Sequence, residues 1–144
     1  MAEFSQFGGG GRLRHLLTLD GLEPDLIREL LDRAGAWLSR PGELPRRGHE
    51  LQGWTVANLF AEPSTRTRAS FELAALRLGA DAVNLDMMLS SRAKGESVLD
   101  TIYTLQAMQV DVFVIRDAEP GVPEYVARHV EPQVSVISGG EAHL

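Results

Sequence analysis

The 144-residue chain contains no cysteine. This absence excludes disulfide bonds, thiolate metal sites and a cysteine nucleophile, and it agrees with a reducing compartment without requiring one. No apolar run approaches the length of a membrane span, and no apolar segment follows the initial Met as it would in a signal peptide. From these absences we expect a cytoplasmic protein that does not interact with membranes.

Positive charge is also scarce, because 14 Lys and Arg residues face 20 Asp and Glu residues, for a net charge of −6. A non-specific nucleic-acid binder needs a basic surface, so nucleic acid is not an expected partner. Any anion site must therefore be built locally from specific residues. The 4 histidines show no ligand spacing with a carboxylate, and neither a metal nor a cofactor is expected.

The length and the apolar fraction of 44% suit one domain with a packed core. Residues 1–11 include a run of glycines and are predicted to form a flexible tail, followed by one domain over residues 12–144. Short apolar runs alternate with helical periodicity, which predicts an α/β fold with a doubly wound, mostly parallel four-stranded sheet and helices on both faces. The predicted strands are Trp54–Phe60, Ala82–Asp86, Asp111–Ile115 and Val134–Ile137, with a loop from Ser138 onwards.

A dense group of anion-binding side chains follows the first predicted strand. Ser64, Thr65, Arg66 and Thr67 are consecutive and are predicted to form a loop before a helix. The free N–H groups and the dipole of a helix N-terminus favour an anion, hydroxyls add donors, and a guanidinium matches phosphate geometry. The glycines of a P-loop are missing, so side chains must do much of the binding. Taken alone, the same residues also suit a simple helix cap beside solvated arginines.

The predicted topology gathers several polar segments at one place. In parallel sheets, ligands bind beyond the carboxyl ends of the strands. That edge collects residues 64–67, the loop 90–96, Arg116 and the loop from Ser138. Three of these four segments carry anion-binding groups, and this coincidence favours a phosphate site over a simple helix cap.

Two motifs in this region resemble those of a known enzyme family. The stretch from Phe60 to Glu72 reads Phe-x-x-Pro-Ser-Thr-Arg-Thr-Arg-x-Ser-Phe-Glu, which resembles the signature of the aspartate and ornithine carbamoyltransferases. The stretch Ser90-Ser91-Arg92-Ala93-Lys94-Gly95-Glu96-Ser97 is similar to a loop of the aspartate enzymes, and ornithine enzymes usually lack its Lys-Gly pair. The resemblance extends from Arg14 to about Ile137, which corresponds to the carbamoyl-phosphate half of that family's catalytic chain.

The resemblance implies a role for each matching residue. Residues 64–67 would hold the phosphate of carbamoyl phosphate, while Arg116 and Thr67 would reach its carbonyl. Arg66, Lys94 and the helix N-terminus would take up the charge of the leaving phosphate. The implied reaction is carbamoyl transfer to L-aspartate, which gives N-carbamoyl-L-aspartate and phosphate for pyrimidine biosynthesis without a cofactor.

The second motif implies an assembly with shared active sites. Ser90 and Lys94 match residues of a loop inserted into the neighbouring subunit's site, and Glu96 matches a glutamate that orients Arg66. A homotrimer is therefore implied. The sequence does not indicate whether regulatory or dihydroorotase-type chains also bind. Without the motif, Ser90 and Lys94 would be interpreted as ordinary loop residues, and Arg116 as a surface partner of Asp117 or Glu119.

The last residues depart from the family pattern. The family usually has Asn-Ala-Gly-Asp-Gly and then His-Pro-Thr-Gln, whereas this sequence has Ser138-Gly139-Gly140-Glu141-Ala142. His143 is out of register with the family histidine. The aspartate-binding half is absent from these 144 residues, so we expect the chain alone to be inactive in transfer. The alternatives are carbamoyl transfer to ornithine or another amine, and a non-catalytic carbamoyl-phosphate-binding domain that works by assembly.

Overall fold

The computed structural model describes residues 3–61, 64–86 and 98–141. Within these residues, helices and strands alternate after a short 3-10 turn at Gly9–Gly11. No helix of this described part is long and apolar enough to cross a membrane. The elements are α1 (Pro24–Gly35), β1 (Thr55–Phe60), α2 (Thr65–Arg77), β2 (Asp81–Leu85), α3 (Val98–Ala107), β3 (Val112–Asp117), α4 (Val122–Ala127) and β4 (Ser135–Glu141).

The four strands form one sheet in the order β2-β1-β3-β4, and every neighbouring pair is parallel. The predicted doubly wound α/β fold is thus confirmed. The chain passes from β1 to β2 on one side and returns to β3 on the other, so the strand order reverses between β1 and β3. In open α/β sheets, ligands bind at such a reversal, outside the carboxyl ends of the strands. Phe60 and Arg116 are paired at that end of β1 and β3.

Helices cover both faces of the sheet because successive side chains of each strand point in opposite directions. On one face, Leu59 and Phe113 belong to a core cluster with residues of α3 and α4. On the other face, Phe60 and Val114 pack with Ala75 of α2. Burial on both faces explains why β1 is a nearly continuous apolar run.

The fourth strand is longer than predicted. The sequence predicted a strand over 134–137 and a loop from Ser138, but β4 continues to Glu141 and pairs with β3 to its end. This prediction was wrong because glycines have low strand propensity and the pairing partner is remote in sequence. The register shifts between Ile115 and Arg116, which leaves Gly139 as an extra residue opposite β3.

The segment before α1 contacts both the core and the edge strand β4. Phe4 packs against the core cluster beneath α3 and α4, and the Gln6 side chain accepts hydrogen bonds from the N–H groups of Leu17 and Thr18. Further on, the Leu16 N–H donates to the Val136 carbonyl at 2.9 Å. His15 and Leu16 therefore cover part of the outer edge of β4, whose backbone groups would otherwise be unpaired. The flexible tail over residues 1–11 stays a prediction.

His15 is the buried titratable residue that holds this segment in place. Its side chain is 2% exposed, and its Nδ1 accepts a hydrogen bond from the Val136 N–H at 2.9 Å. Burial, and secondarily the neighbouring charge of Arg14, lowers the pKa of His15 from 6.5 to about 4. His15 is therefore neutral in the folded protein at neutral pH.

We expect this histidine to make the fold sensitive to acid. Between pH 6.5 and about 4, His15 binds a proton in the unfolded chain but stays neutral in the folded protein. The contribution of neutral His15 to the unfolding free energy is therefore complete above pH 6.5 and is lost as the pH falls. The loss of unfolding free energy should reach about 3 kcal/mol. Urea unfolding at several pH values should show a shallower pH dependence for His15→Gln than for the wild type. Replacing the exposed His129 with Gln is the control, and equal slopes in the wild type and His15→Gln would contradict the prediction.

Candidate functional site

The first turn of α2 forms one wall of the site. The helix begins at Thr65, so residues 65–67 are helical and not in a loop as the sequence predicted. The Arg68 N–H donates to the Ser64 carbonyl at 2.9 Å, which starts the intrahelical ladder. The three preceding N–H groups have no acceptor within the helix. Because α2 directly follows β1, these groups lie at the carboxyl end of the sheet, where the helix dipole favours an anion.

The side chains of this turn are not used by the fold in the part of the chain that the structure describes. Thr65 and Arg66 are exposed, Ser64 and Thr67 are half-buried, and Ser64 makes no side-chain capping bond. Among residues 3–61, 64–86 and 98–141, none forms an ion pair with Arg66. Arg68, in contrast, is paired with Asp86. The donors of residues 64–67 are therefore available to a ligand, which weighs against a purely structural cap.

A second guanidinium lies beside this turn. Arg116 is half-buried at the carboxyl end of β3, and its carbonyl accepts a hydrogen bond from the Ala61 N–H at 2.9 Å. Since Ser64 follows Ala61 closely in the chain, the pairing of β1 with β3 brings Arg116 to the start of α2. Its Nη1 donates to the Gly139 carbonyl at 3.3 Å, so the side chain contacts β4.

A chain of polar contacts ties α2 to the sheet beneath the site. Buried Asn58 of β1 donates to the Asn84 side chain at 2.9 Å, and Asn84 donates to Glu72 of α2 at 2.7 Å. One turn before Glu72, Arg68 reaches Asp86 beyond the end of β2. These contacts were not predicted, although an asparagine inside the apolar run of β1 was a signal that a polar partner is needed.

Other predicted site residues lie outside the described part. Ser90, Lys94 and Glu96 fall between residues 86 and 98, so their roles stay predictions. Within the described ranges, no three histidine or carboxylate side chains are grouped closely enough to hold a metal ion. The predicted site residues that the structure describes are therefore residues 64–67 and Arg116.

The donors in this arrangement indicate which ligand the site can bind. Backbone N–H groups, hydroxyls and one guanidinium belong to the start of α2, and a second guanidinium lies at the neighbouring strand end. Such donors match a phosphate group that carries a further oxygen acceptor nearby. Donors fixed in position also stabilise charge that develops during a reaction.

The family model and the solved structures that match this chain belong to the same kind of enzyme. A family model described as the aspartate/ornithine carbamoyltransferase, carbamoyl-P binding domain, matches residues 14–144. The catalytic subunit of M. jannaschii aspartate transcarbamoylase is 34% identical, with a TM-score of 0.71 over 88% of this chain and 40% of that chain. The ornithine carbamoyltransferase of Thermus thermophilus is 29% identical, with a TM-score of 0.69 over 88% of this chain and 42% of that one.

A third solved relative was crystallised with ligands. It is a mutant N-acetyl-L-ornithine transcarbamylase complexed with carbamyl phosphate and N-succinyl-L-norvaline, and it is 26% identical with a TM-score of 0.69. The match covers 90% of this chain and 43% of that protein. The chain thus spans about two-fifths of the length of the solved relatives it matches.

Proposed function

Because the chain belongs to the aspartate/ornithine carbamoyltransferase family and corresponds to its carbamoyl-phosphate-binding domain, we propose that it binds carbamoyl phosphate for carbamoyl transfer to L-aspartate. The observation that carries this proposal is the position of the first turn of α2 beside Arg116, where the strand order reverses. Aspartate is proposed as the acceptor on the stretch Lys94-Gly95-Glu96, which resembles the aspartate enzymes.

The geometry suits the chemistry of a mixed anhydride. The acceptor amine attacks the carbamoyl carbon, a C–N bond forms, the C–O bond to phosphate breaks, and the amine loses a proton. Negative charge grows first on the carbonyl oxygen, where Arg116 and Thr67 would stabilise it. It then grows on the departing phosphate, where Arg66 and the N–H groups of the first helical turn would receive it.

Ornithine or a related amine is the second candidate acceptor. This alternative is favoured by solved relatives that include an ornithine and an acetylornithine enzyme at similar TM-scores. Both alternatives use the same carbamoyl-phosphate half-site, so they differ in the amine and not in the residues described above. A non-catalytic role in assembly would retain the same phosphate contacts and lack the transfer step.

The resemblance extends the proposal to a homotrimer. Ser90 and Lys94 would enter the site of a neighbouring subunit, and Glu96 would orient Arg66. In such an arrangement each pocket is completed by a residue of another copy. Lys94 is the single lysine of the chain, so its removal tests this shared site without a substitute of the same type.

Calorimetric titration of carbamoyl phosphate into the 144-residue protein tests both parts of the proposal. We expect binding by the wild type and binding about tenfold or more weaker in Lys94→Ala, because a charged hydrogen bond is worth about 1.5–3 kcal/mol. Arg92→Ala removes a positive charge from the same stretch and should bind normally. A folded wild-type chain that binds nothing would refute the half-site. An unchanged Kd in Lys94→Ala would refute the shared site.

A further inference from the structure

Arg116 has a long side chain that must be held in one orientation to act on a carbonyl oxygen. Among the described residues, the acceptor of its guanidinium is the Gly139 carbonyl, at 3.3 Å from Nη1. A guanidinium carries several N–H donors in a fixed planar fork. One bond to β4 therefore orients the fork and leaves its other donors for a ligand.

The contact arises at the irregular part of β4. Ile115 pairs with Ser138 and Arg116 pairs with Gly140, so Gly139 is the extra residue of a bulge. Bulges occur next to active sites, where they redirect side chains. The Gly140 N–H donates to the Ser138 hydroxyl at 3.3 Å, which closes the bulge on itself.

Gly140 leaves the space that the guanidinium occupies. A Cβ atom at this position would lie 3.1 Å from Nη1 and 3.5 Å from Cζ of Arg116. The φ angle of Gly140 is also +121°, which side-chain-bearing residues rarely adopt. A Cβ at Gly139 would approach Phe60 and Val114 at 3.2 and 3.4 Å, and the Cβ of Arg116, but not its guanidinium, at 3.5 Å. The two glycines thus have different tasks, since Gly139 supplies the carbonyl and Gly140 supplies the space.

We infer that Gly139 and Gly140 are positioning residues that seat the Arg116 guanidinium against β4. The inference rests on the proposed function, in which Arg116 acts on the carbonyl of carbamoyl phosphate. A displaced guanidinium would then weaken binding of carbamoyl phosphate more than binding of inorganic phosphate, because inorganic phosphate lacks the carbamoyl group. The inference also gives Ser138-Gly139-Gly140 a role in this chain, as the bulge that faces Arg116.

Gly140→Ala tests the positioning of the Arg116 guanidinium with and without ligand. In the ligand-free protein, the Arg116 Nε–H resonance, assigned by its absence in Arg116→Lys, should shift and exchange faster with water. The Kd for carbamoyl phosphate should rise about tenfold, as for a lost charged hydrogen bond, while the Kd for inorganic phosphate changes less than about threefold. Gly21→Ala is the matched control, because Gly21 has a φ of +84° and a Cβ atom there would meet nothing within 4 Å.

A second variant covers the case in which Gly140→Ala does not fold. Ser138→Ala removes the acceptor of the Gly140 N–H and should change the Arg116 resonance in the same direction, with a Kd increase of about threefold. An unchanged resonance and unchanged Kd ratio in a folded variant would overturn the inference, and so would equal weakening of both ligands with an unchanged resonance. If the wild type binds neither ligand but the Arg116 resonance still changes in the variants, the positioning role of Gly139 and Gly140 is supported and the proposed function is refuted.

Discussion

Replacement of Arg66 with alanine is expected to weaken carbamoyl phosphate binding about 100-fold, because a bidentate, charge-assisted contact with phosphate is lost. Arg66 is exposed in the first turn of α2 and forms no ion pair with the described residues. Its removal should therefore leave the unfolding free energy within about 0.5 kcal/mol of the wild type. Calorimetric titration at fixed ionic strength, together with urea unfolding, measures both quantities.

Arg68→Ala is the matched control for this prediction. Arg68 lies on the same helix but is paired with Asp86. Its loss should lower stability slightly, since partly exposed ion pairs contribute about 1 kcal/mol or less, and should leave ligand binding nearly unchanged. Arg66→Lys should show an intermediate loss, because lysine retains the charge without the planar fork. Equal weakening by Arg66→Ala and Arg68→Ala would show that only net charge matters and would contradict the assigned role.

Phe60→Ala is expected to lower the unfolding free energy by about 3–5 kcal/mol, the usual cost of removing a buried aromatic ring. Phe60 is 1% exposed, and its ring lies 6.5 Å from the ring of Phe71 in α2. It ends β1 immediately before the segment that leads to the site. This loss is a large part of the about 5–15 kcal/mol that stabilises a typical domain. Thermal and urea unfolding should both detect it.

Two further phenylalanine variants separate the cavity from the loss of an aromatic group. Phe60→Leu preserves most of the volume and should cost less than about 1.5 kcal/mol. Phe7→Ala removes a ring that is 38% exposed and should cost much less than Phe60→Ala. A similar loss in Phe7→Ala and Phe60→Ala would mean that the core beneath α2 does not depend on close packing.

The parts of the fold that depend on local signals could be predicted from the sequence. The apolar run of β1 and the helical periodicity that follows it are contained in short windows, and the structure has a strand and then a helix in this order. Residues 64–67 stood out because their donors are consecutive. Their helical conformation could not be foreseen, since Ser and Thr suit a loop and a helix N-terminus equally well.

The parts that depend on distant pairing were missed. The glycines of β4 read as a loop, and their strand conformation comes from β3, which lies more than 20 residues earlier in the chain. Likewise, the contact of Asn58 with Asn84 requires the two strands to be neighbours. An asparagine in the apolar run of β1 indicates that a polar partner is needed, but it does not identify Asn84 as that partner. The contact of His15 with the Val136 N–H depends on the open edge of β4 in the same way.

The segment before α1 covers part of β4, and this also affects where separate molecules of the domain can associate. Leu16 forms a parallel bridge to Ile137, and its carbonyl accepts a hydrogen bond from the Ser138 N–H at 2.9 Å. Unpaired strand edges are the places where separate chains join sheets and aggregate. The segment shields this part of β4 from intermolecular strand addition. In the described sheet, β2 forms the opposite border.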